Sequence, residues 1–230
     1  NPATPTFFLF IFPINFQYYC SVKNTFFILL LFSPLFLFGQ IFTNSNLPIV
    51  VINTNGQIIQ DDPRIICDMG IIDNGFGNMN SINDSYNDYN GRISIEIRGS
   101  SSQQHPKKSY GLETQDSVGN NNNVSLLGMP VENDWVLYAP YPDKTMIRNV
   151  FTYKTFEKMG YWSPRTRYCE LLINGDYLGV YVLLEKIKRD SDRLDIKKLT
   201  SADTIGDDLT GGYIMKVDKG TGSGTSSIVS

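Results

Sequence analysis

The stretch Arg167–Ile187, RYCELLINGDYLGVYVLLEKI, decides the fold. Two apolar runs, Arg167–Ile173 and Tyr177–Ile187, flank Asn174-Gly175-Asp176. Asn-Gly between apolar runs is the strongest short-range hairpin signal, because both residues accept the positive φ of a tight turn whose twist matches the strands. The second run, YLGVYVLLEKI, is apolar at successive positions rather than at alternate ones. A strand with one solvated face would alternate, so this one reads as central in its sheet.

Strand signals continue upstream. Arg92–Arg98 (RISIEIR) alternates strictly, with Ile93, Ile95 and Ile97 on one face and Arg92, Ser94, Glu96 and Arg98 on the other. Gly99–Ser102 turns the chain, and Lys107–Thr114 (KKSYGLET) returns as its partner. Leu47–Asn53, Ile65–Ile72, Trp135–Ala139 and Gly211–Asp218 are further strand candidates. One helix is expected from Asp143 to Met159. Asp143 caps its first turn, Met146, Ile147, Val150, Phe151 and Met159 share one face, and Gly160 supplies a left-handed C-terminal cap. The charged run Lys186–Lys198 reads as an exposed helical turn. Strands, one helix, then strands again imply an α+β fold: a mostly antiparallel sheet with one packed helix.

The 230 residues are 41% hydrophobic and 19% charged, enough for one sizeable core. Twenty basic against 23 acidic residues give −3, which argues against a nucleic-acid partner. The three cysteines have no zinc spacing. Cys67 and Cys169 read equally as a disulfide pair or as two buried thiols. The single histidine, His105, excludes a His-rich metal centre.

At the N-terminal end, Phe26–Phe38 is apolar apart from Ser33 and Pro34, follows Lys23 and precedes Gly39-Gln40. A spanning helix needs about 20 apolar residues, whereas a signal-peptide core needs about 7–15. Residues 22–40 therefore read as a signal peptide of a secreted or extracytoplasmic protein, the alternative being an uncleaved anchor that would be its one membrane contact. Residues 1–21 have no clear role and read as upstream translation. Residues 41–230 form the domain. Its tail, Gly220–Ser230, is Gly/Ser-rich and reads as a linker, as if the sequence stopped within a domain.

Arg98-Gly99-Ser100-Ser101-Ser102 joins two expected strands, and small residues there let backbone N–H groups approach an anion while Arg98 adds donors. Lys107 and Lys108 lie on the return strand. A strand, a small-residue turn and a strand bearing Lys is a layout that covers nucleotide phosphates. Glu185-Lys186 ends the central strand, where residues often line a cleft. Arg148, in the helix, suits a phosphate or a carboxylate. Asp73, Asp84 and Asp88 fall in a polar loop without the ligand order of an EF-hand, and the loop reads as solvated rather than Ca²⁺-binding. Asp218 ends a strand and equally starts a turn. No Ser-His-Asp order and no paired acidic motif emerges.

Four strings occur in order: RGSSSQQHPKKSYGLET, LLGMPVENDWVLYAPYPDKTMIRNVFTYKTFEKMG, SPRTRYCELLINGDYLGVYVLLEKIKRD and GGYIMKVD. Together they resemble the spore coat protein H (CotH) kinase family, from about Arg92 to Asp218. The resemblance implies the N-terminal part of an atypical protein-kinase-like fold. It implies ATP with Mg²⁺ or Mn²⁺, and phosphate transfer to Ser of a protein substrate. It makes Arg98, Ser100, Lys107, Lys108 and Glu185 the candidate nucleotide-binding residues, with Lys108 first and Lys107 second for the phosphates. The catalytic Asp segments of such proteins are expected beyond Ser230, so the fragment alone is expected to be inactive, and no metal ligand is assigned. A non-catalytic extracellular or cell-surface module with the same fold is the alternative.

Overall fold

The computed structural model describes residues 42–210, 212–214, 216–219 and 226–229. The expected signal peptide 22–40 and residues 1–21 lie outside the described residues, as does most of the Gly/Ser-rich tail.

The strands in chain order are β1 (Asn44–Ser45), β2 (Ile49–Asn53), β3 (Ile65–Ile72), β4 (Asn80–Ser81), β5 (Tyr89–Arg98), β6 (Ser109–Gln115), β7 (Asp134–Tyr138), β8 (Thr166–Ile173), β9 (Asp176–Glu185), β10 (Lys216–Lys219) and β11 (Ser226–Val229). Seven of them close a barrel in the order β2-β3-β5-β6-β7-β9-β8. Every neighbour is antiparallel except at the seam, where β2 runs parallel to β8 with Ile49 opposite Glu170 and Ile52 opposite Ile173. β1 pairs with β4, and β10 with β11, as separate small ladders.

The barrel overturns the expected α+β, kinase-like fold with a packed helix. The described chain is mostly β, and its one helix longer than a turn, Arg148–Lys158, contains no buried residue. Closure also removes the free sheet edge that an open sheet would leave. The reason is long-range: alternation reports which face of a strand is buried, but not whether the sheet's two ends meet.

The interior is filled by side chains. Val50, Ile52, Met69, Ile93, Ile95, Leu112, Leu137, Leu171, Tyr181 and Leu183 alternate inward, with Trp135 among them. Cys67 and Cys169 are free, buried thiols, each pushed by burial up to about 12. Outside the wall, Val136, Val182 and Leu184 form a second apolar patch joined by Tyr138, Val150 and Tyr168. That patch explains why β9 is apolar on both faces.

The β8–β9 hairpin turns on Asn174 (φ 52°) and Gly175 (φ 85°). The Asn174 side chain accepts from the Thr54 amide at 2.9 Å and donates to the Thr54 hydroxyl at 2.9 Å, tying the hairpin tip to the end of β2. The helix begins five residues later than expected. Asp143 nevertheless accepts its first N–H, from Arg148, at 2.9 Å. At the other end Gly160 takes φ 89°, its N–H donates to Glu157 O, and the Tyr161 N–H donates to Phe156 O. This is a Schellman closure, and Tyr161 completes it by stacking on Phe156 at 4.8 Å. Of the expected apolar face, Val150 alone meets the barrel patch, while Phe151 and Met159 stay 67% and 64% exposed.

Two further expectations change. The run 186–198 is not a helical turn, since Arg189 bridges Leu194 and Arg193 is buried. Within the expected linker, Ser226–Val229 pairs as a strand with Lys216–Lys219.

Candidate functional site

β5 and β7 finish, and β6 starts, at one end of the barrel. Arg98 pairs with Ser109, and the Ala139 amide just beyond β7 donates to the Ser109 hydroxyl at 3.0 Å. Between Arg98 and Ser109 the chain makes a tight turn, Ser101–Gln104. Gly99 enters it at φ 115°, a conformation that residues with a side chain rarely adopt, and a Cβ there would also run into the Ser102 hydroxyl and make it rotate away.

A cleft of about 340 Å³ opens beside this turn. Arg98, Gly99, Ser102, His105 and Lys107 border it on one side, and Val136, Tyr138, Ala139 and Pro142 on the other. Arg98 is exposed and makes no ion pair among the described residues. The half-buried Lys107 ammonium donates to Val180 O at 2.6 Å and sits 4.4 Å from the centre of the Tyr181 ring. Burial lowers its pKa, against an opposing pull from Glu170. Two cations, a glycine turn and an apolar wall make a site for an anion attached to a flat apolar body.

The expected residues divide. Arg98 and Lys107 border the cleft. Ser100 stands at the turn's first position, exposed, with its carbonyl accepting from the Gln103 amide and its side chain capping nothing. Lys108 faces away and donates to Gln103 O at 2.5 Å and His105 O at 2.7 Å, holding the turn rather than the cleft. Glu185 does not border the cleft: it pairs with Trp135, one residue along from the cleft residue Val136, and alternation turns its side chain to the other face of the wall. There it is fully buried, accepting from the Arg165 amide at 2.8 Å and guanidinium at 2.9 Å, with Arg193 at 3.8 Å.

Sequence reasoning missed two features. His105, given no site role from the sequence, stacks on Tyr141 at 5.2 Å beside the cleft; its neighbour Pro106 gave no hint of this. The second is a charge cluster at the barrel's far end. Arg193 is buried over the Trp135 ring, 3.8 Å from Glu132, and Lys188 bridges Glu132 and Asp134 at 2.7 Å each. The sequence ENDW (132–135) could have flagged it, since acids directly before a buried Trp need cationic partners.

Asp84 and Asp88, from the acidic loop, are engaged by the chain itself: Asp84 accepts from the Ser81 amide and Asn74, and Asp88 from the Leu127 amide. Among the described residues no group of three His, Cys, Asp or Glu side chains is placed to hold a metal ion.

The family model for "CotH kinase protein" matches residues 95–228, more than half of the sequence. The chain belongs to the CotH kinase family. The match starts within β5, so it includes the cleft, its turn and the whole β8–β9 hairpin. No curated protein matches the chain. Family membership makes this a kinase-like protein, and nucleotide and metal use go with the CotH family in general. The cleft's donors fit the phosphates of a nucleotide. The described residues supply no matching ligand set for a divalent ion.

Proposed function

We propose that the cleft beside the Ser101–Gln104 turn binds the phosphates of ATP, and that the chain is the nucleotide-binding part of an extracytoplasmic protein Ser kinase. The carrying observation is the convergence of Arg98 and Lys107 on one cleft with a glycine turn on its rim. When bound, ATP supplies the phosphoryl group. Arg98 offers a forked donor to phosphate oxygens. Lys107, already partly desolvated, gives up one carbonyl partner and meets a phosphate instead, with Tyr181 keeping the cation in place. Val136, Tyr138 and Pro142 give the base an apolar wall. The transfer step needs metal-bound carboxylates, and among the described residues no three such side chains are grouped to hold a metal ion. The acceptor class, Ser of a protein, and a secretory route through residues 22–40 complete the reading.

Titrating the chain with a fluorescent ATP analogue tests it. Saturable binding is expected, with Lys107→Ala and Arg98→Ala each weakening it tenfold or more, the loss of one charge-assisted hydrogen bond being worth about 1.5–3 kcal/mol. Binding that ignores both substitutions removes the cleft from the nucleotide site. A folded chain with no binding at all favours a non-catalytic module.

A further inference from the structure

Two Asn-x-Ser sequences occur in the chain, Asn83-Asp84-Ser85 and Asn123-Val124-Ser125. This is the acceptor pattern for N-linked glycans. The fold presents both. Asn83 sits on the turn after β4, exposed, directly beyond Ile82, whose side chain packs against the outer Ile49, Ile72 and Leu172 cluster. Asn123 lies in an extended segment in which Val124 packs on the core and pairs with Glu132. Alternation along such a segment turns its neighbours outward, and Asn123 and Ser125 are both exposed. Neither Asn side chain makes a hydrogen bond among the described residues.

Their position in the barrel is shared. The loop carrying Asn83 joins the end of β3 to the start of β5, and that carrying Asn123 joins the end of β6 to the start of β7. Register pairs Ile71 with Tyr89, Arg92 with Gln115 and Glu113 with Asp134, so these four termini lie at one barrel end. The cleft is at the other, the ten-residue length of β5 away, about 30 Å.

We propose that Asn83 and Asn123 are N-glycosylation sites, and that their glycans cover the barrel end opposite the cleft. In the transfer, the Asn amide nitrogen attacks the anomeric carbon of a lipid-pyrophosphate-linked oligosaccharide. The bond from that carbon to the pyrophosphate oxygen breaks, lipid pyrophosphate leaves with the electron pair, and the amide proton passes to a base of the transferase. The proposal rests on the secretory reading of residues 22–40.

The full chain is translated with endoplasmic-reticulum microsomes, in parallel with a version whose residues 1–40 are replaced by a proven secretory signal. Protease-protected chains with two mobility steps are expected. Peptide N-glycosidase should remove both steps, Asn83→Gln and Asn123→Gln one each, and the double variant should have none. Protected chains without a step, in either version, overturn the sites. Steps on the replaced version alone keep the surface assignment but overturn the secretory reading, and with it the modification of the natural chain.

Discussion

Successive residues of an extended chain leave on opposite sides, which gives Lys107 and Lys108 different neighbours although the sequence makes them look alike. Lys107 reaches past Gly179 to Val180 O and the Tyr181 ring. Lys108 satisfies two carbonyls of the turn that shapes the cleft rim. Substituting each should therefore tell the two apart. Lys108→Ala removes charged donors from carbonyls that stay half-enclosed, and a loss of about 1.5 kcal/mol in urea unfolding is expected, with nucleotide affinity reduced only as far as the turn loosens. Lys107→Ala also takes a charged donor from Val180 O and a cation from the Tyr181 ring, so a stability loss of about 1.5 kcal/mol is expected there too, but it alone of the two should bring the tenfold fall in binding. Equal unfolding midpoints for wild type and Lys108→Ala would deny the turn its staple.

At the scale of elements, the sequence was most legible where the signal is local. Asn174-Gly175 specifies its hairpin because only residues tolerant of positive φ sit in that turn, and both take it. Ile65–Ile72 is a strand with the expected limits, and Gly160 ends the helix as expected. The helix face was misleading. Period 3.6 groups Met146, Ile147, Val150, Phe151 and Met159, but it does not say what lies opposite; Val150 leans on Val136, Val182 and Leu184, and the others look outward. In the cleft, Arg98 and Lys107 were legible from their flanking strands, whereas Glu185 was not assignable, because its distance from them depends on the register of β7 with β9. Two alanine substitutions test the corrected packing. Val150→Ala should cost about 1 kcal/mol through lost burial, and Phe151→Ala should stay within about 0.5 kcal/mol. A larger loss at Phe151 than at Val150 in denaturant titrations would reverse the orientation of the helix.

The whole barrel is closed at its seam by β2 against β8, and sealed at one end by charges. Arg193 has a fully buried side chain near Glu132 and Glu185. Burial lowers its pKa, against an opposing pull from both carboxylates; the guanidinium is a permanent cation, and the carboxylates offset part of the cost of burying it. Glu132 and Glu185 keep Lys188 and Arg165 as closer partners, so Arg193→Ala, which removes a buried side chain from over the Trp135 ring and a donor from Lys186 O, should cost about 1–3 kcal/mol. A melting curve unchanged by that substitution would mean that the cluster does not seal the barrel. Acid should open the same end. Burial would raise the Asp134 carboxyl, but hydrogen bonds from Lys188 and Lys186 outweigh it and hold the group below its ordinary value. A depressed carboxyl contributes stability that is complete above the unfolded-chain value of about 3.9 and is lost as pH falls through the lower native value. Stability should therefore be flat near neutrality and fall on acidification below about pH 4. Asp134→Asn should start lower at neutral pH and fall less steeply, because the variant has no such proton to bind. Urea midpoints measured from pH 3 to pH 7 decide it, and parallel slopes for the two chains would remove Asp134 from the acid response.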